Sequence, residues 1–176
     1  MKIKKFAALM SISFIFFSMA SSAADSTITM TATVVASPCT VSSDSISQTI
    51  ALDGGKGFQS KDLQTAGAKT AWVDFDVKLI DCPTGTSNAT MTFSGTEDAD
   101  NSKNYANSGT AKNIAVELFK KDALTTDYPL SNGTSLTRPI ENGTATFDFS
   151  VRAVTTKGSV TPGTVQSVVT ATMTYQ

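Results

Sequence analysis

Cys39 and Cys82, the two cysteines of the chain, carry its most reactive side chains and lie 43 positions apart. A cysteine pair can bind a metal, act in redox or nucleophilic chemistry, or form a structural disulfide. The spacing is not that of a C-x-x-C redox pair, and the chain contains no histidine. Cys–His and Ser–His–Asp catalysis and histidine-containing zinc sites are therefore excluded. The pair favours a disulfide formed in an oxidising compartment, with two free thiols as the alternative.

Two other patterns could bind a ligand, and both are weak. Residues 98–102 are similar to the start of a calcium loop, but Lys103 replaces the required glycine and Gly109 the bidentate glutamate. We interpret this segment as a solvated acidic loop. Trp72 could stack on a sugar, although a single aromatic residue beside a strand more often packs against the protein. We predict no catalytic residue, metal site, cofactor or small-molecule substrate, and the net charge of -1 gives no reason to expect nucleic acid.

The first 23 residues have the three parts of a cleaved signal peptide. The parts are Lys2, Lys4 and Lys5, the uncharged run Phe6–Met19, and the small residues Ser21 and Ala23 at the cleavage site. A membrane anchor is the alternative, but the apolar run is shorter than the ~20 residues that a spanning helix needs. Cleavage after Ala23 leaves 153 residues. Export makes the Cys39–Cys82 disulfide the expected state, and closing its loop contributes about 4 kcal/mol in the chain-entropy model.

The body of the chain alternates apolar and polar residues, which predicts half-buried β-strands. Threonine occurs 27 times, and β-branched residues fit a pleated sheet better than a helix. The two long polar segments 54–70 and 95–112 are predicted to be loops or short helical turns. Turn residues between the strands indicate an antiparallel immunoglobulin-like sandwich. Six runs alternate in this way: Ile50–Leu52, Val73–Leu79, Ala89–Phe93, Ile114–Leu118, Ala145–Ala153 and Val165–Tyr175.

A seventh alternating run precedes Cys39 and has no hairpin turn that would return it to the next strand. One face carries Ile28, Met30, Ala32 and Val34, and the other carries Thr27, Thr29, Thr31 and Thr33. An immunoglobulin-like sandwich has at least about seven strands, so this run has two interpretations. It is either the first strand of its own sheet or a strand that completes the sheet of a neighbouring molecule.

The chain resembles pilins of the chaperone–usher pathway, and among them the type 1 fimbrial subunits, over its whole mature length. The most specific feature is the end of the chain, where Gly163 is the fourteenth residue from the C-terminus, Tyr175 is penultimate, and apolar residues alternate between them. The resemblance also rests on the signal peptide, the alternating extension that leads into residues 36–41, and the segments 66–67, 75–83, 109–114 and 149–153.

The resemblance implies a signal peptide 1–23, an N-terminal donor-strand extension 24–36 and a pilin domain 37–176. The domain would be an all-β, incomplete immunoglobulin-like sandwich of six strands that lacks the C-terminal strand. In these families a periplasmic chaperone lends a strand to the open groove, and at the outer-membrane usher the extension of the next pilin replaces it. The product is an extracellular fimbrium without catalytic activity.

The resemblance also implies roles for individual residues. Cys39 and Cys82 correspond to the family's disulfide. The family usually has a glycine in the extension where this chain has Ala32, so the fit of that strand to other subunits is open. The expected groove-filling residues are Ile28, Met30, Ala32 and Val34, and the expected acceptor edge comprises Gly163, Val165, Val169, Ala171, Met173 and Tyr175.

Residues 34–39, Trp72 and the short loop 95–110 are most similar to those of a minor adaptor subunit at the fimbrial tip. A major rod pilin is the alternative within the family, whereas a tip adhesin would need room for a separate lectin domain. The alternative from another class is a self-contained exported binding domain that keeps its N-terminal strand. An enzyme is the least favoured interpretation.

Overall fold

Eight β-strands and two single-turn helices make up the structure, a computed structural model that describes residue 31, residues 37–123 and residues 129–176. The predicted signal peptide 1–23 and, apart from Thr31, the predicted extension 24–36 lie outside the described residues. The strands are β1 (Thr40–Val41), β2 (Val73–Ile80), β3 (Asn88–Gly95), β4 (Tyr105–Ala106), β5 (Ala115–Lys120), β6 (Ser135–Pro139), β7 (Ala145–Val154) and β8 (Val169–Tyr175). The helices are α1 (Ser43–Ile46) and a 3₁₀ turn (Ser60–Leu63). Neither of these helices is long and apolar enough to cross a membrane.

The strands form two sheets, and every pair of neighbouring strands is antiparallel. The larger sheet has the order β1-β2-β7-β5-β4, and the smaller sheet has the order β6-β3-β8. Apolar residues from the inner faces of both sheets form one core, in which Phe93 of the smaller sheet meets Phe149 of the larger one edge to face at 5.6 Å between ring centroids. The predicted all-β immunoglobulin-like class is confirmed.

Alternation along β3 shows why the sequence forms strands here. Ala89, Met91 and Phe93 point inward and are 0 to 2% exposed, whereas Thr90 and Thr92 lie on the opposite face. Successive side chains of a strand point to opposite faces, so an apolar–threonine repeat buries one face and leaves the other in water. β2 and β7 follow the same logic.

Two of the predicted strands differ from the structure. The prediction of a strand at Ile50–Leu52 was wrong, because this segment does not pair with any strand and leads into a turn. Both apolar side chains still pack against the core. The last strand begins at Val169 and not at Val165, because residues 164 and 166 bond to a distant loop.

The described residues contain eight strands, whereas the sequence predicted six in the body of the chain. β1, β4 and β6 were missed: β1 and β4 have two residues each, and β6 is exposed at three of its five residues and ends at a proline. The two segments predicted as loops or helical turns contain the 3₁₀ turn and the two-residue β4.

The Cys39–Cys82 disulfide is present, with 4.2 Å between the Cα atoms. Cys39 directly precedes β1, and Cys82 follows β2, the strand with which β1 pairs. Beyond the disulfide, the Thr86 hydroxyl donates a hydrogen bond to the Ser37 carbonyl at 3.2 Å. The covalent link therefore fixes the point at which the chain enters the domain.

Tyr105 is fully buried in the core and donates a hydrogen bond from its hydroxyl to the Leu130 carbonyl at 2.8 Å. Burial raises the pKa of this phenol to about 12, because an ionised tyrosine loses its hydration in the core.

We expect Tyr105→Phe to lower the free energy of unfolding by about 1 to 3 kcal/mol, since the Leu130 carbonyl loses its donor. In the native chain the stabilisation from the neutral phenol is complete below the unfolded pKa of about 10 and falls as pH rises through about 12. Tyr105→Phe should therefore lose less stability over this interval. Urea unfolding of both proteins at several alkaline pH values measures this difference in pH dependence. An equal loss of stability in the two proteins would contradict the raised pKa of Tyr105.

Candidate strand-acceptor site

β8 is an edge strand of the smaller sheet, and none of its seven residues is fully buried. Its register with β3 pairs Tyr175 with Ala89, Met173 with Met91, and Ala171 with Phe93. Directly paired residues share a face, so these β8 side chains lie on the core side of the sheet. Their β3 partners are almost completely buried, whereas Met173 and Tyr175 are only partly buried and Ala171 is exposed. The core is therefore covered on its β3 side and open along β8.

Within the described residues, the backbone of β8 is paired on one edge only. Asn88 and Gln176 exchange two backbone hydrogen bonds, of 2.9 and 3.0 Å, so the even-numbered residues of β8 bond to β3. The odd-numbered residues direct their N–H and C=O groups to the other edge, where the described part of the chain supplies no partner. The residues that face the open groove with their side chains are thus the same ones that present unpaired backbone groups: Val169, Ala171, Met173 and Tyr175.

The segment before β8 is held by a loop that lies more than fifty residues earlier in the chain. The Thr164 N–H donates to Thr110 Oγ1 at 2.9 Å, and the Thr110 N–H donates to Thr164 Oγ1 at 3.0 Å. The Gln166 N–H donates to Asn107 Oδ1 at 2.7 Å, and the Ser108 N–H donates to the Gln166 carbonyl at 2.8 Å. These polar residues were not predicted from the sequence, because nothing local marks a pairing across such a separation.

Gly163 and Val165 occupy the same end of the edge. A Cβ atom on Gly163 would collide with the Ala111 backbone nitrogen and would lie 2.7 Å from Thr110 Oγ1. A glycine is required here because the two backbone segments approach each other so closely. Val165 is partly buried and packs against the core, which places it with the predicted edge residues.

The other end of the edge lies beside the entry point of the domain. Gln176 accepts backbone hydrogen bonds from Ser87 and Asn88, and the adjacent Thr86 bonds to Ser37. Burial raises the pKa of the Tyr175 phenol, because this side chain packs partly against the core. β8 is therefore anchored at both ends by other parts of the fold.

The structure brings all six predicted acceptor residues, Gly163, Val165, Val169, Ala171, Met173 and Tyr175, onto β8 and the segment that leads into it. The predicted donor residues Ile28, Met30, Ala32 and Val34 lie outside the described residues.

Trp72 is part of the protein's own packing. The Arg152 guanidinium lies 3.8 Å from its ring centroid, and Phe119 packs edge to face with it at 5.4 Å. Arg152 also forms an ion pair with the buried Glu117, whose second partner is Lys69 at 3.3 Å. One face of the indole is thus occupied by protein, which supports the packing role.

The acidic segment 98–102 forms a local turn. Asp98 Oδ1 accepts the backbone N–H groups of Asp100 and Asn101, both at 3.1 Å, and Asp100 pairs with Lys157 at 2.5 Å. Within the described ranges, no cluster of three or more potential metal ligands occurs.

Comparison with known proteins identifies the family of this chain. The model of the family described as fimbrial protein matches residues 28–176. The chain belongs to the fimbrial protein family. Relatives include the protein FimG of Escherichia coli K12, which is 41% identical over 87% of this chain and 86% of its own length. The S-fimbrial adhesin protein SfaS of E. coli O6:K15:H31 is 38% identical over 87% of this chain and 86% of its own length.

Solved structures confirm the fold. The P pilus rod subunit PapA matches with a TM-score of 0.65 at 19% identity, over 80% of this chain and 100% of its own. A chaperone–usher pilus subunit matches with a TM-score of 0.63 at 20% identity, over 87% of this chain and 96% of its own. The family model and the relatives make the chain a structural, non-enzymatic fimbrial subunit, and the solved structures add the fold of pilus subunits.

We expect Gly163→Ala to lower the free energy of unfolding by more than Gly54→Ala does. Gly54 has a φ of +58° but open space around its Cβ position, so its substitution costs only about 1 kcal/mol of backbone strain. At Gly163 the added methyl must also push away the backbone of residues 110–111. Urea midpoints of the two variants measure this difference, and an equal or smaller effect at Gly163 would disprove the close approach.

Proposed function

We propose that this pilin polymerises by donor-strand exchange, in which a neighbouring subunit adds a strand along β8 and residues 24–36 are lent to the next subunit. The observation that carries the proposal is the coincidence on β8 of apolar side chains that are partly or fully exposed and backbone groups that have no partner among the described residues. An edge of this kind is a template for another strand, and in an isolated subunit it is an aggregation hazard.

The extension has the composition that such an edge requires. Its residues Ile28, Met30 and Val34 would each contribute roughly 1.5 to 3 kcal/mol when buried. The backbone of the added strand would pair with the odd-numbered residues of β8, which removes the unpaired groups from the edge. Ala32 would fill the same groove with a single methyl group.

The open edge also explains the other partners that we propose. A periplasmic chaperone would cover β8 until the outer-membrane usher exchanges it for the extension of the next pilin. The signal peptide 1–23 would direct the chain to the periplasm before it joins the fibre. Both partners follow from the family resemblance and from the need to protect an exposed edge strand.

Within the fimbria we propose the position of a minor adaptor at the tip, with a major rod pilin as the alternative. The proposal rests on residues 34–39, Trp72 and the loop 95–110. Quantitative mass spectrometry of purified fimbriae decides between them, because an adaptor is present in far fewer copies than the rod subunit. A copy number equal to that of the most abundant subunit would favour the rod.

We expect Ala171→Lys to abolish incorporation into fibres, because it places a charged side chain in the groove and leaves the rest of the edge intact. Thr137→Lys is the matched control, since it adds the same charge to the outer face of the same sheet, on β6 and away from the β8 edge. Fibre assembly and chaperone binding should be measured for both variants. Normal fibres from Ala171→Lys would exclude β8 as the acceptor edge.

We expect deletion of residues 24–36 to leave chaperone binding intact and to prevent the subunit from joining the next one. A self-contained binding domain would behave differently, because it would lose a strand of its own sheet and hence stability. Pull-down with the chaperone and incorporation into fibres measure the two properties. Loss of folding together with chaperone binding would support the self-contained domain.

A further inference from the structure

The outward strand residues of the smaller sheet are uncharged, and most of them carry hydroxyl groups. By contrast, the outer face of the larger sheet carries Asp74, Asp76, Lys78, Asp148 and Arg152. The outward residues of the smaller sheet are Asn88, Thr90, Thr92 and Ser94 on β3, Ser135, Thr137 and Pro139 on β6, and Thr170, Thr172 and Thr174 on β8.

Hydroxyl groups meet directly between β3 and β6. The Thr90 and Thr137 hydroxyl oxygens are 2.8 Å apart, and those of Thr92 and Ser135 are 2.7 Å apart. The backbone bonds between these two strands are made by the odd-numbered residues of β3, as Phe93 shows by bonding to residues 133 and 134. The threonines therefore occupy the non-hydrogen-bonded positions of an antiparallel ladder, where opposite Cα atoms approach to about 4.5 Å.

Between β3 and β8 the arrangement is reversed. Here the even-numbered residues form the backbone bonds, as the Asn88–Gln176 pair shows. Thr90 and Thr174, and likewise Thr92 and Thr172, therefore occupy the wide positions, with about 5.5 Å between Cα atoms.

At the free edge of β8 the wide and narrow positions of the ladder are exchanged once more. The odd-numbered residues offer their backbone groups there, so an added antiparallel strand would have its narrow positions opposite Thr170, Thr172 and Thr174. This is the geometry that joins Thr90 to Thr137. A parallel strand has evenly spaced, slanted bonds and no narrow pairs.

We propose that Thr170, Thr172 and Thr174 are specificity determinants of strand addition. They select an antiparallel strand that carries threonine or serine at alternate, outward positions, and they bond to it hydroxyl to hydroxyl. The occupant is the extension of a second copy of this chain, whose outward residues are Thr27, Thr29, Thr31 and Thr33. The inference rests on the proposed strand exchange and adds a polar selection to the apolar fit of the groove.

The test uses the full chain with a second copy of residues 24–36 joined after Gln176 by a short flexible linker, so that the added strand can return antiparallel to β8. Three changes, Thr170→Val, Thr172→Val and Thr174→Val, remove the β8 hydroxyls and preserve side-chain shape. In a second variant the four threonines of the added strand are changed to valine, and a third variant combines these changes with the three changes on β8. Urea unfolding of the four proteins forms a double-mutant cycle.

The expected coupling is about 1.4- to 5-fold in the unfolding equilibrium constant for each hydroxyl pair. Serine at the three β8 positions should restore it, because serine keeps the hydroxyl group. The control is Thr146→Val on the outer face of β7, which should show no coupling to the added strand.

Two results would overturn the inference, and they are distinguishable. If the added strand stabilises the chain but the valine changes are additive, strand addition stands and the hydroxyl selection is wrong. If the added strand gives no stabilisation in any variant, the proposed strand exchange fails and the inference fails with it.

Discussion

The structure depends on two requirements that must be met by the same residues: apolar side chains must be covered, and backbone polar groups must be hydrogen-bonded. Along β3 both conditions hold, because Met91 and Phe93 are covered and the backbone of the strand is paired on both edges. Along β8 neither condition is complete, since the groove residues are half-exposed and one row of backbone groups has no partner in the described part of the chain. One added strand would satisfy both conditions, because the same residues carry both deficits.

The β8 edge is positioned by contacts that are distant in sequence. The loop containing Asn107 and Thr110 holds one end through short polar bonds and the close approach of Gly163. At the other end, residues 86–88 bond both to Gln176 and to Ser37, which the disulfide holds next to β2. An edge held at both ends loses little conformational entropy when a partner strand binds, which favours association.

The sequence was sufficient to predict a strand where one face of the strand is apolar and the other is polar. β2, β3 and β7 were predicted to within two residues for this reason, and the groove residues of β8 follow the same alternation. Ile50 and Leu52 show the limit of this signal, because they pack on the core without pairing in a sheet. The alternation could not predict the free edge itself, because the free edge depends on which backbone groups of β8 are already hydrogen-bonded to β3. The family resemblance supplied that expectation.

Residues whose role depends on distant partners were not predictable either. Glu117 is buried on the outer face of the larger sheet because Arg152 and Lys69 reach it from other segments. Nothing in its neighbourhood along the chain distinguishes it from an exposed strand glutamate. The bonds of Thr110 and Thr164 are of the same kind.

The entry point at Ser37 and the end of β8 meet at the same small turn, and this has a mechanical consequence for a fibre built by antiparallel strand addition. The N-terminal extension of each subunit would leave the domain near Gln176. The domain of the incoming neighbour would lie near Gly163, at the opposite end of the β8 edge, which is called here the opposite pole of the domain. Subunits would then follow one another pole to pole in a line. A pull along that line would act parallel to the shared strand and load its hydrogen bonds in shear, all at once and not one after another.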